Sequence, residues 1–63
     1  MEETTKAMAA ALWISMDKNE KAGVRFGMFP LGKMKEAEKE GFNVKDLCVA
    51  LMDCASKNGG MIA

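Results

Sequence analysis

The chain has 63 residues, 49% of them hydrophobic, and its nine Lys or Arg residues balance nine Asp or Glu residues. A chain of this length forms a single small domain, residues 1–63, which buries roughly 60% of the surface that its unfolded form exposes. The zero formal net charge argues against a nucleic-acid-binding domain, because such domains are usually basic.

The segment KAMAAALWISM predicts a first helix, which Thr4 or Thr5 would cap through its hydroxyl. Alanine favours helix over strand, but a strand over ALWISM, paired with VRFGM as a hairpin, is the alternative. Because apolar residues surround this helix on nearly all sides, we expect it to be buried or to lie in an interface. The predicted self-association residues of this segment are Met8, Leu12, Trp13 and Met16.

The next stretch, GVRFGMFP, predicts a turn followed by a short strand. Gly23 suits the left-handed position that would end the first helix. VRFGM then alternates large apolar residues with Arg25 and Gly27, which is the period of a half-buried strand. Pro30 would end the strand and start a helix. The apolar strand residues predicted to add to the self-association surface are Phe26 and Met28.

Two further helices are predicted in the second half of the chain. LGKMKEAEKE places Leu31, Met34 and Ala37 on one stripe, with a charged face outside, and Gly41 would end this helix. Asn43 would cap the last helix. That helix has the clearest apolar stripe in the chain, formed by Val44, Leu47, Cys48, Leu51 and Ala55.

The sequence offers no catalytic or metal-binding constellation and no cofactor motif. It has no His and no Tyr, and its two cysteines, Cys48 and Cys54, would point in different directions on a helix, which predicts reduced thiols. Glu2 and Glu3 stand where a secretory signal needs positive charge, and the apolar run from residue 7 to 16 is too short to cross a bilayer. We therefore expect a cytoplasmic protein with no membrane partner.

The segment from Val24 to Ala55, VRFGMFPLGKMKEAEKEGFNVKDLCVALMDCA, resembles the ribbon-helix-helix family of DNA-binding dimers. It shares with that family a short strand that contains an Arg, then a helix that a Pro opens and a Gly ends. A polar capping residue and a second helix with an apolar stripe follow. The resemblance implies that strands of two subunits pair and enter the major groove. Arg25 and Gly27 would then face DNA, and the N-terminus of the last helix, at Asn43 and Lys45, would meet phosphate.

These patterns predict a mainly α fold of the small α+β class, ordered helix, short strand, helix, helix, in a homodimer that pairs the short strands. The apolar content, including seven Met residues, exceeds what so short a chain can enclose. We therefore expect a small non-enzymatic module that associates with itself and binds another protein, whose identity the sequence does not give. The alternative hypothesis is a ribbon-helix-helix-like DNA-binding dimer of the regulator or antitoxin type.

Overall fold

The computed structural model describes the backbone of residues 2–62 and the side chains of residues 2–57. This part of the chain forms four helices and contains no strand. In chain order the helices are α1 (Glu3–Ser15), α2 (Lys18–Val24), α3 (Leu31–Lys39) and α4 (Val44–Ile62). None of them is both long enough and apolar enough to cross a membrane.

The first segment is a helix, as predicted, and the alternative strand over ALWISM is wrong. The predicted caps are also wrong, because Thr4 and Thr5 lie inside α1 and Glu2 precedes it without a side-chain capping bond. Thr5 is instead buried at 8% exposure. The helix ends at Ser15, where the Met16 N–H donates to the Trp13 carbonyl at 3.1 Å.

The predicted strand, and with it the small α+β fold and the strand-paired homodimer, is wrong. The first helix was expected to end at Gly23, but it ends at Ser15 and a separate helix, α2, follows, because Asp17 and Glu20 cap the start of α2 reciprocally. Val24 is the last residue of α2, and residues 25–27 form a turn. The alternation of apolar residues in VRFGM therefore spans a helix end and a turn.

Gly27, rather than Gly23, takes the left-handed position, with φ of 81°. The Gly27 N–H donates to the Val24 carbonyl at 3.0 Å, and the Met28 N–H donates to the Gly23 carbonyl, also at 3.0 Å. This pair of bonds is a Schellman motif, which satisfies carbonyls that a helix end leaves unpaired. Because these backbone groups are used within the turn, they do not form the ladder of a strand.

The second half of the chain follows the prediction closely. Pro30 precedes α3, and Gly41 ends it with φ of 99°, in a second turn of the same type. Asn43 caps α4, because its side-chain oxygen accepts from the Asp46 N–H at 3.1 Å. Leu31 alone departs from its predicted stripe, since it is 62% exposed.

α4 is the centre of the core and contacts the other three helices. Its predicted stripe is confirmed: Leu47 and Leu51 are fully buried, and Ala55 is 2% exposed. Lys21 of α2 lies over Trp13, with its ammonium 5.6 Å from the centre of the indole ring. The buried hydrophobic residues are Ala9, Leu12, Trp13, Met16, Val24, Met34, Ala37, Leu47, Ala50, Leu51 and Ala55.

Candidate functional site

The connection between α2 and α3 displays three large apolar side chains to solvent, which we call the apolar turn. Phe26, Met28 and Leu31 are 83%, 69% and 62% exposed. Burying a side chain of this size is worth about 1.5 to 3 kcal/mol, so the single chain leaves a substantial hydrophobic free energy unused here. The charged residues between positions 24 and 35 are Arg25, Lys33 and Lys35, so the surroundings in sequence are basic.

The backbone under the apolar turn is held at several points. The Schellman motif at Gly27 fixes its beginning. Phe29 lies between the exposed residues, is half-buried and packs against the core. The Leu31 N–H donates to the Phe29 carbonyl at 2.9 Å. Phe26 and Met28 are thus presented by a segment that is anchored on both sides.

A second apolar surface lies on the outer side of α1, and we call it the α1 face. It consists of Ala7, Ala10, Ala11 and Ile14, all exposed, with Ile14 at 77%. Their spacing of i, i+3, i+4 and i+7 is that of a helix stripe that packs against another element. No charged residue lies between positions 6 and 17. α1 is thus apolar on its outer side as well as on the side that faces the core.

The α1 face continues onto α4 through a shallow groove of about 340 Å³. Ala10 of α1 and Val49 and Ala50 of α4 line it, and Val49 is 60% exposed. At its edge the Lys57 ammonium lies 3.0 Å from an Asp53 carboxylate oxygen. Lys6 of α1 lines the groove as well, so the groove combines apolar and charged side chains.

The cysteines are thiols and lie partly buried on α4. Burial raises the pKa of the Cys54 thiol, the Asp53 carboxylate raises it further, and Lys57 opposes both effects. Burial also raises the pKa of the Cys48 thiol. A raised pKa favours the protonated thiol, which is a poor nucleophile. No cluster of His, Cys, Asp and Glu that could hold a metal ion occurs in the part of the chain that the structure describes.

The six predicted self-association residues do not share one surface. Leu12, Trp13 and Met16 belong to the core of the single chain, at 8%, 7% and 5% exposure. Met8 is partly buried against the same core. The two that lie on the surface are Phe26 and Met28, both in the apolar turn. Other exposed apolar residues, which the sequence analysis did not assign to a functional surface, include Ala7, Ala10, Ala11, Ile14, Leu31, Val49 and Met52.

The four residues predicted to contact nucleic acid lie in two regions. Arg25 and Gly27 are exposed in the turn after α2, where Arg25 adjoins Met52 and Ser56 of α4. Asn43 and Lys45 lie at the beginning of α4, so Met52 is about 10 Å further along the helix than Lys45.

The surroundings of the α4 N-terminus are acidic rather than basic. Asn43 lines a shallow depression together with Glu2, Glu40 and Asp46. The carboxylates there repel a phosphate group, which a helix N-terminus could otherwise bind.

Comparison with known proteins gives no relative from which a function could be transferred. No family model, curated protein or solved structure matches the chain. The resemblance of residues 24–55 to the ribbon-helix-helix family stays a prediction from sequence, and its first element is a turn in the structure. A functional proposal for this chain must therefore be built on its exposed surfaces.

Proposed function

We propose that this protein is a small non-enzymatic interaction module that associates with itself and binds another protein through the apolar turn. The observation that carries the proposal is the exposure of Phe26, at 83%, on a turn whose backbone is hydrogen-bonded and anchored. Aromatic side chains and Met are enriched at the centres of protein interfaces, where they fill pockets on the partner.

The core of the chain supports this role for the apolar turn. The buried set is contributed by all four helices and includes Val24 and Met34, on either side of the turn in sequence. Phe29, in the middle of the same segment, packs against that core while Phe26 and Met28 stay outside. Phe29 thus anchors the segment to the core, whereas Phe26 is exposed to solvent.

The charge around the apolar turn indicates the chemistry of the partner. Arg25 adjoins Phe26 in sequence and is exposed, and Lys35 is exposed on α3. Lys33 is already paired with Glu20 at 3.4 Å, so Arg25 and Lys35 are the cations that a partner could meet. Opposite charges at the rim of an interface speed association and fix its orientation. We therefore expect the partner to offer an apolar pocket with acidic residues at its edge.

The chemistry of the side chains supports a non-enzymatic function. The chain contains no His and no Tyr. Its thiols have raised pKa values. Acid–base and nucleophilic catalysis usually depends on side chains such as His, Tyr or Cys whose pKa values are shifted toward neutrality.

Site-specific photo-cross-linking in the producing cells tests the proposal. A photo-reactive phenylalanine analogue in place of Phe26 should cross-link to one discrete second protein, and Met28→Ser in the same chain should weaken that product. The same analogue in place of Lys39, which is exposed at the other end of α3, about 12 Å along the helix from Leu31, serves as the matched control and should give no such product. Equal products from both positions, or a product from position 26 that contains only this chain, would contradict the proposal.

A further inference from the structure

We infer that Met28 is a site of reversible oxidation, through which a peroxide makes the apolar turn polar and weakens its binding to a protein partner. The inference rests on the proposed function, because it describes how the same surface is regulated. The observation behind it is the position of Met28, which is 69% exposed and lies between Phe26 and Leu31 of the apolar turn.

The Met28 side chain lies beside the backbone of α2 at Gly23, where no other side chain covers it from that position. A Cβ added at Gly23 would lie 3.2 Å from the Met28 Cβ and 3.9 Å from the Met28 Sδ. The Met28 N–H donates to the Gly23 carbonyl at 3.0 Å, which holds the residue in place. The thioether is thus fixed at the surface, where a small oxidant in solution meets it.

The oxidation transfers one oxygen atom and two electrons. A lone pair of the Met28 sulfur attacks one oxygen of hydrogen peroxide, so that an S–O bond forms and the O–O bond breaks. The sulfur is oxidised to a sulfoxide, and the peroxide is reduced to water. Methionine sulfoxide reductases reverse the step: the oxygen leaves as water, and two thiols of the reductase are oxidised to a disulfide.

A sulfoxide removes the property on which binding by the apolar turn depends. A Met side chain is apolar and adapts its shape to a pocket, whereas its sulfoxide is polar and accepts hydrogen bonds. Phe26 lies two positions away, so a partner that buries both side chains would have to desolvate the sulfoxide oxygen. Oxidation of this one sulfur therefore weakens the interface.

The methionines that support the fold are protected from the same oxidant. Met34 and Met16 are 1% and 5% exposed, and Met8 is partly buried against the core. Met52 is 44% exposed, but it lies on α4 and outside the apolar turn. Burial raises the pKa of both thiols, which lowers the fraction of thiolate, the form that a peroxide attacks. A low dose of peroxide should thus change the apolar turn and leave the core intact.

Peptide mass spectrometry of the purified full chain, after increasing exposure to hydrogen peroxide, tests the site. Met16 and Met34 should form sulfoxides at least about tenfold more slowly than Met28, and the far-ultraviolet circular dichroism should not change while Met28 is oxidised. Retention on a phenyl matrix should fall for wild type and Met52→Leu but much less for Met28→Leu, which keeps an apolar side chain of similar volume. Oxidation of Met34 as fast as that of Met28, or an equal fall in retention for the two variants, would overturn the inference.

Cross-linking from position 26 tests the effect on binding. The purified chain with the photo-reactive analogue is oxidised, freed of peroxide and treated with dithiothreitol, which returns oxidised thiols to the reduced state. An extract of the producing cells is then added, so that the partner never meets the peroxide. The yield of the discrete product should fall about tenfold, because the sulfoxide forfeits the hydrophobic free energy of a buried Met side chain.

Treatment with both methionine sulfoxide reductases should restore that product. Met28→Leu should give the product equally before and after the peroxide, whereas Met52→Leu should lose it as the wild type does. An equal loss in Met28→Leu, or no loss in the wild type, would overturn the inference.

The two proposals fail separately in these experiments. Absence of a discrete product before oxidation would count against the proposed function, while the oxidation rates and the phenyl retention, which need no partner, still decide whether Met28 is the site. A product whose yield oxidation does not change would count against the regulation alone.

Discussion

Asp17 and Glu20 close a reciprocal capping box at the beginning of α2. The Glu20 N–H donates to Asp17 Oδ1 at 2.8 Å, and the Asp17 N–H donates to Glu20 Oε1 at 3.0 Å. Lys33 of α3 joins this box, because its ammonium lies 3.4 Å from Glu20 Oε1 and donates to the Ser15 carbonyl at 3.0 Å. The box therefore starts α2 and also links it to α3 and to the end of α1.

Asp17→Ala should lower the free energy of unfolding by about 1 kcal/mol, the usual cost of losing an N-cap side chain. The N–H of Glu20 would lose its side-chain acceptor, and the first turn of α2 would fray. Asn19→Ala is the control, since Asn19 is exposed and lies inside the same helix without a capping role. Urea unfolding followed by circular dichroism measures both variants. Equal stability of the two variants would mean that the box contributes nothing.

Leu12→Asp and Ile14→Asp should behave in opposite ways, although they lie two positions apart on α1. Leu12 is 8% exposed in the core, so an aspartate there would bury an unpaired charge and unfold a domain whose expected stability is about 3 to 9 kcal/mol. Ile14 is 77% exposed, and its replacement should leave the single chain folded. Lys35→Asp, on an exposed position of α3, should leave the fold unchanged. A folded Leu12→Asp monomer would show that Leu12 lies in an interface instead of the core.

The sequence predicted the elements whose apolar residues occupy one side only. α4 has a single stripe, and residues such as Leu47 and Leu51 could be assigned to the core from their spacing. α1 has apolar residues all round, so its spacing could not decide whether Leu12 or Ile14 faces the core. The packing of α1 against α4 decides it, and that contact is long-range.

The short strand was mispredicted because the prediction used only one of two signals in this region, the alternation of apolar residues, and left the capping-box spacing out. The Asp17 and Glu20 spacing is that of a capping box and predicts a helix, whereas the alternation around Phe26 predicts a strand. Once α2 forms, Val24 is taken up by the helix and Gly27 ends it, which leaves Phe26 and Met28 on a turn. Phe26 and Met28 are exposed, as is Leu31, because this segment forms a helix end and a turn instead of a strand.

Gly27→Ala and Gly32→Ala should shift stability in opposite directions. Gly27 has φ of 81°, which costs an alanine about 1 to 2 kcal/mol, although an added Cβ would meet no atom within 4 Å. Gly32 lies in α3, where a Cβ also meets nothing within 4 Å, so alanine should stabilise the fold by about 0.4 to 1 kcal/mol. Urea midpoints of the two variants test this. A stabilised Gly27→Ala would be inconsistent with a left-handed residue at the end of α2.

Arg25→Ala should have little effect on either stability or nucleic-acid binding. Arg25 is exposed in the turn after α2 and adjoins Met52, which is about 10 Å along α4 from Lys45, so the two cations lie in separate regions. Glu2, Glu40 and Asp46 also surround the end of α4 that would meet phosphate. We expect no tight, salt-sensitive binding of duplex DNA by the wild type, and a change in unfolding free energy below about 1 kcal/mol for the variant. Binding assays at about 50 mM and 200 mM salt measure the first quantity, because phosphate contacts weaken steeply over that range. Sequence-specific binding that is lost in Arg25→Ala would instead favour the DNA-binding hypothesis, since a base contact contributes about 1 to 3 kcal/mol of discrimination.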